Sequence, residues 1–203
     1  HAVAGDMVEA LSDFVARAKS GGKLYAALYE LHDEELVGLL EKAGKKLSIV
    51  LSNAMQQEVR PKGEPEKEVD GNQDARDRLT KTASAIYSRL LPTNQIGHNK
   101  FVVYVDKSGH ARAVLFGSTN WTPTGLCAQT NNTIVLDNAK AAQRYLDYWK
   151  QLKADTAAAV RDLGHAPGSL GDDNELNDDK DEEDNHADNQ VAADDEVSEL
   201  GHQ

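Results

Sequence analysis

Along the first half of the chain, apolar positions alternate between two spacings. Between Asp6 and Lys19, Met7, Val8, Leu11, Phe14, Val15 and Ala18 recur at helical intervals, and Gly21-Gly22 ends the segment. Lys23 to Tyr29 is a short apolar run that predicts a buried strand. His32-Asp33 opens a second helix with Leu36, Leu39, Leu40 and Ala43 on one face and Gly44 at its end. Leu47 to Leu51 is a β-rich run bounded by Lys46 and Ser52-Asn53, and it predicts a central strand. Strand, helix and strand at this spacing predict a βαβ unit with a parallel pair.

Glu58 to Asn72, with its prolines, glycines and charges, reads as a surface loop. Asp74 to Leu91 reads as a third helix stopped by Pro92. Phe101 to Val105 and Ala111 to Phe116 are expected as two strands joined across Asp106 to His110. Asn132 to Leu136 follows as a further strand. Asn138 to Leu163 is a long helix with Ala142, Tyr145, Leu146 and Trp149 inward, ended by Gly164 and Pro167. The fold class is therefore α/β, a mixed sheet flanked by helices, without internal repeats.

Charge changes this picture at one end. The 203 residues carry a formal net charge of −12. Of the acidic residues, 14 lie from Asp172 onward against one base, Lys180, which leaves the first 171 residues with 20 acids and 21 bases. The expected division is a folded domain over 1–168 and an acidic, disordered tail or interdomain linker over 169–203, because a segment this polar cannot offset its ordering entropy. A near-neutral body argues against a protein that coats nucleic acid. No apolar run approaches the ~20 residues of a membrane span. The one cysteine, Cys127, leaves no internal disulfide and no Cys-based zinc site. The chain begins at His1 and reads as a piece of a longer parent; no signal peptide is visible, so the expected location is cytoplasmic.

The chemistry concentrates over residues 93–136. His98-Asn99-Lys100 opens one predicted strand and Gly117-Ser118-Thr119-Asn120 closes the next. Residues i and i+2 of a strand share a face, so His98 projects with Lys100, and Ser118 with Asn120. One sheet end thus gathers an imidazole, an ammonium, a hydroxyl and a carboxamide. That set suits a phosphate: Lys supplies charge, Ser and Asn donate hydrogen bonds, and His attacks phosphorus or moves a proton. No acidic cluster nearby points to a metal. Trp121 is placed either at the site entrance or in the core. Tyr145, Tyr148 and Trp149 read as core or interface, and His110 as an exposed turn residue.

These residues resemble the phospholipase D superfamily, whose signature is His-x-Lys, then an Asp, then Gly-Ser-x-Asn. Here it stands as His98-Asn-Lys100, Asp106, and Gly117-Ser118-Thr119-Asn120-Trp121, and the resemblance covers about Leu24 to Leu152. It implies one half of a two-motif enzyme, a metal-independent phosphodiesterase without a cofactor that works through a phosphohistidine. His98 would be nucleophile or general acid, Lys100 and Asn120 phosphate ligands, Ser118 a supporting donor and Asp106 a catalytic support. Trp121 joins the substrate-binding group. The family places four residues between the Lys and the Asp; here there are five, which turns Asp106 to the other face unless a bulge intervenes. His32, His110, His165, His186 and His202 are not followed two residues later by Lys, so the second motif must come from a twofold-related copy or a second half of a longer parent. The substrate class stays open between a phospholipid and a nucleic acid. A nuclease calls for a basic groove, and a lipid enzyme for exposed apolar loops or an interfacial helix; the sequence displays neither. Transfer to an alcohol and a non-catalytic interaction role stand as alternatives.

Overall fold

A computed structural model describes residues 5–162, except 59, 60, 63, 66 and 93. The acidic segment expected as a tail or linker lies outside the described residues. Two helices, α1 (Met7–Ala16) and α2 (Glu34–Ala43), flank the strand β1 (Lys23–Leu28), and β2 (Leu47–Ser52) follows. A small ribbon of β3 (Met55–Gln57) and β4 (Glu68–Asp70) leads to α3 (Gln73–Thr82) and β5 (Ala85–Arg89). Then come β6 (Lys100–Val105), β7 (Ala111–Gly117), the short α4 (Pro123–Cys127), β8 (Thr133–Leu136) and α5 (Ala139–Asp162).

The main sheet has six strands in the order β5-β2-β1-β6-β7-β8. Its first three strands run parallel and the rest antiparallel, as the mixed sheet predicts. Its central strands read as continuous apolar runs because both faces are covered. Leu24, Ala26 and Leu28 of β1 and Leu47, Ile49 and Leu51 of β2 pack with α1, α2 and α3 on one face. Ala27 and Val50 point the other way, where Phe101, Val103 and Val114 meet Ala142, Leu146, Trp149 and Leu152 of α5. The Trp149 Nε1–H donates to the Ala26 carbonyl at 2.8 Å, so the buried indole is paired.

Two expectations need correction. The helix expected over Asp74 to Leu91 is two elements. At Ala83 the backbone turns extended (φ −65°, ψ 163°), and its buried methyl packs under the core. Beyond it, Ala85-Ile-Tyr-Ser-Arg89 adds to β2 as a parallel strand, Ser48 opposite Ala85 through Ser52 opposite Arg89. The open sheet edge and the β-branched and aromatic pair Ile86-Tyr87 outweigh the helical reading. The loop expected over Glu58 to Asn72 contains β4, paired antiparallel with β3.

This topology brings several strand ends together at one end of the sheet. Leu28 is opposite both Leu51 and Lys100, and Phe101 is opposite Phe116. The ends of β1, β2, β5 and β7 and the start of β6 therefore lie side by side.

Candidate active site

The site is assembled at that end. His98 lies just before β6, on a connection held close to the end of β2. A Cβ at Gly97 would stand 2.6 Å from the Ser52 Oγ and 3.1 Å from its Cβ, so glycine lets the connection lie against Ser52 without displacing it. Asn53 grips the same connection further back: its Nδ2 donates to the Leu91 carbonyl at 2.9 Å, and its Oδ1 accepts the Leu91 N–H at 3.0 Å.

The His98 ring is exposed and rests on the Tyr29 ring, centroids 5.1 Å apart. The Lys100 ammonium sits 5.3 Å from the centroid of the same ring and donates to the His98 carbonyl at 3.2 Å. Lys100 is only 7% exposed. Burial pushes its ammonium down to about 8, against the pull of Glu30. Partial burial, then the Lys100 charge, lowers His98, while Glu30 acts the other way. Burial, then Glu30, raises the Tyr29 hydroxyl. The site thus holds an imidazole shifted toward its neutral form beside an ammonium that burial disfavours.

Asn120 reaches this group from beyond β7. Its Nδ2 donates to the Glu30 Oε2, and its buried Oδ1 has no hydrogen-bond partner. Ser118 serves the next connection: its Oγ donates to the Asn131 Oδ1 and accepts the Asn132 N–H, both at 3.0 Å. The glycine of the motif has its own reason. A Cβ at Gly117 would lie 2.1 Å from the Asn132 carbonyl oxygen, so glycine lets β8 return against β7.

The family model described as "Cardiolipin synthase, PLD-like domain" matches residues 14–153. The chain belongs to the phospholipase D superfamily. Among solved structures, this phospholipase D-like domain is similar to NucT from Helicobacter pylori, with a TM-score of 0.50 and 13% identity over 73% of this chain and 88% of that one. It is also similar to the phospholipase D family member Nuc from Salmonella typhimurium, with a TM-score of 0.46 and 21% identity over 68% and 84%. No curated protein matches the sequence.

Within the phospholipase D-like domain, His98, Lys100 and Asn120 come together around Tyr29 and Glu30, and three other expected site residues do not join them: Ser118, whose hydroxyl is engaged by Asn131 and Asn132, Asp106 and Trp121. Asp106 follows the far end of β6. Its Oδ1 accepts the Ser108 and His110 N–H groups at 2.9 and 3.0 Å, and its Oδ2 accepts the Arg112 Nε–H at 2.6 Å. A register shift at Tyr104/Val105 does occur, but the extra residue is Arg112 on β7, and it is turned to meet Asp106. Asp106 is a turn-closing residue in this structure. Trp121 is 1% exposed and packs in the core. Its backbone N–H donates to the Glu30 carbonyl at 3.0 Å, and its carbonyl accepts from His32 and Asp33. It supports the site from behind and does not line it.

Sequence reasoning did not find Tyr29, Glu30 or Asn72. The side chain of Asn72, fully buried, accepts the Leu31 N–H at 2.8 Å and donates to the Tyr29 and Ser52 carbonyls. It therefore fixes the backbone on both sides of Glu30 and ties β1 to β2. Arg76 continues the brace, donating to Leu51, Ser52, Ser88 and Asp70. The available signal was position: Glu30 is a charged residue closing an apolar strand at the sheet end where the motif was expected.

Proposed function

We propose that the protein is a metal-independent phosphodiesterase of the phospholipase D type. The observation that carries this reading is the convergence of His98, Lys100 and Asn120 on the Tyr29–Glu30 corner, with a lowered imidazole beside a desolvated ammonium. His98 attacks the diester phosphorus; a P–N bond forms as the P–O bond to the leaving group breaks. A second imidazole gives that oxygen its proton. Water then attacks the phosphohistidine, passes its proton to the second imidazole, and the P–N bond breaks, which restores both groups. Lys100 and the free N–H of Asn120 carry the charge on the phosphoryl oxygens. The second imidazole comes from a twofold-related copy or from a second half in a longer parent chain.

Phospholipid is the substrate class favoured here. Leu90 and Ile96, on the connection that leads to His98, are 60% and 59% exposed. Exposed apolar side chains on the approach to His98 support a lipid substrate. Among the described residues, no helix is long and apolar enough to cross a membrane.

The test is hydrolysis of a chromogenic phosphodiester in EDTA over a range of protein concentration, with His98→Ala alongside. Activity lost in the variant and rising faster than linearly with concentration is the expected result for a site completed by a second copy. A linear rate that His98→Ala abolishes is the result expected for a second copy already bound at the lowest concentration, and no rate at any concentration is the result expected where the second half lies in a longer parent. Strong inhibition by EDTA, or full activity in His98→Ala, overturns the reading.

A further inference from the structure

We propose that Glu30 is the charge-selecting residue of the phosphate site: it orients the Asn120 carboxamide and makes the site take a monoanionic phosphodiester in preference to a dianionic phosphate. The inference rests on the phosphodiesterase reading above.

A carboxylate beside a phosphate site needs a reason, since like charges repel. Glu30 is held there by more than its own side chain. Asn72 clamps the Tyr29 carbonyl and the Leu31 N–H on either side of it, and Trp121 donates to its own carbonyl. Asn72 and Trp121 are 0% and 1% exposed, so the main chain at Glu30 is fixed by buried groups, and its carboxylate is held by the Asn120 Nδ2–H.

The carboxylate has two consequences. It only accepts hydrogen bonds, so Asn120 must turn Nδ2 toward it, and this decides the orientation of the amide. One N–H of that Nδ2 remains for a phosphoryl oxygen, while Oδ1 is left buried without a partner. The amide is therefore set by Glu30 and not by its own satisfaction. The second consequence is charge. Tyr29, Glu30, His98, Lys100 and Asn120 meet at this corner, and its one cationic side chain besides the imidazole, Lys100, is matched by the one carboxylate, Glu30. A diester brings one negative charge to this corner. A phosphomonoester or inorganic phosphate brings nearly two, and the second faces Glu30 without a further cation from this group.

The test uses ligands that need no turnover. Inorganic phosphate and dimethyl phosphate are titrated against the full chain, and the His98 imidazole resonances are followed by NMR at a pH where phosphate is mainly dianionic. Glu30→Gln is the decisive variant, because its amide oxygen still accepts from Asn120 while the charge is gone. The expected result is that Glu30→Gln tightens phosphate about threefold more than it tightens dimethyl phosphate. Equal factors for the two ligands, or a loss of both, overturns the assignment to Glu30 and leaves the phosphate site standing. If neither ligand moves His98 in either protein, the phosphate site itself falls, and the selection with it. Glu30→Ala, which removes the hydrogen bond as well, is expected to weaken dimethyl phosphate relative to Glu30→Gln; equal binding by the two variants overturns the orienting role.

Discussion

The two ends of β6 carry the two charged residues of the motif, Lys100 and Asp106, and the protein treats them in opposite ways. Asp106 is saturated. Two backbone N–H groups and the Arg112 guanidinium fill its oxygens, and these bonds, Arg112 first, hold its carboxyl down to about 2. Lys100 is buried to 7% exposure with one hydrogen bond, to the His98 carbonyl, and burial pushes it toward neutrality. The fold lowers the free energy of the charge at one end and raises it at the other. A group stabilised by its surroundings holds structure together. A group left short of partners keeps its interaction free energy for a ligand. The same contrast separates Ser118, whose hydroxyl is engaged twice, from Asn120, whose Oδ1 is engaged by nothing.

The sharpest break in this comparison is Lys100→Met. Turnover of a phosphodiester should fall by about a thousandfold, the scale of losing one preorganised charge-stabilising donor. The folded state should lose nothing at neutral pH. Lys100 binds its proton less tightly in the folded protein than in the unfolded chain, so its charge opposes folding at pH values below about 8, and stability recovers as pH rises from there toward the ordinary lysine value. A matched pair of turnover and urea-denaturation measurements checks both halves. A large loss of stability at pH 7 would mean that Lys100 is structural and the contrast with Asp106 is false. In wild type the same lysine should give kcat/KM an alkaline limb near pH 8, where substrate meets a neutral amine.

Behind the site, the brace is expected to show the next largest effect. Asn72→Ala removes bonds to Leu31, Tyr29 and Ser52 at a fully buried position and should cost about 3 kcal/mol, read as a lower midpoint in urea at unchanged slope. This brace also shows what the sequence made legible and what it hid. Central strands, their hairpin and α5 were readable because burial on both faces writes itself as apolar runs and helical spacing. The juxtaposition of His98, Lys100 and Asn120 was readable from strand parity and from the hairpin that joins β6 to β7. Asn72 lies 41 residues from Leu31 and reaches the backbone on either side of Glu30 only in the folded chain, where β1 is paired with β2. No local pattern announces such a contact. β5 was hidden for a related reason: five residues after a helix became a strand because an open edge of β2 was available. Asp106 misled for the reverse reason. A motif position is a place in a string, and one strand of six residues is enough to carry its carboxylate to the opposite end of the sheet.

The smallest effect should come from Asp106→Asn, and its smallness is what gives it value. Turnover should stay within about twofold of wild type, because the carboxylate lies beyond the far end of β6 from His98. Thermal stability should drop modestly at pH 7 and the drop should depend on pH in a defined way. The Asp106 carboxyl is lowered in the folded state, to about 2, so its contribution is fully present above the ordinary aspartate value and fades as pH falls through about 2. Melting curves of wild type and Asp106→Asn should therefore differ at neutral pH and converge on acidification. A constant difference at every pH would mean that the asparagine disturbs the turn for reasons other than charge. A collapse of turnover with an intact melting curve would return Asp106 to the active site, and would require the contacts at Ser108, His110 and Arg112 to be broken when substrate binds.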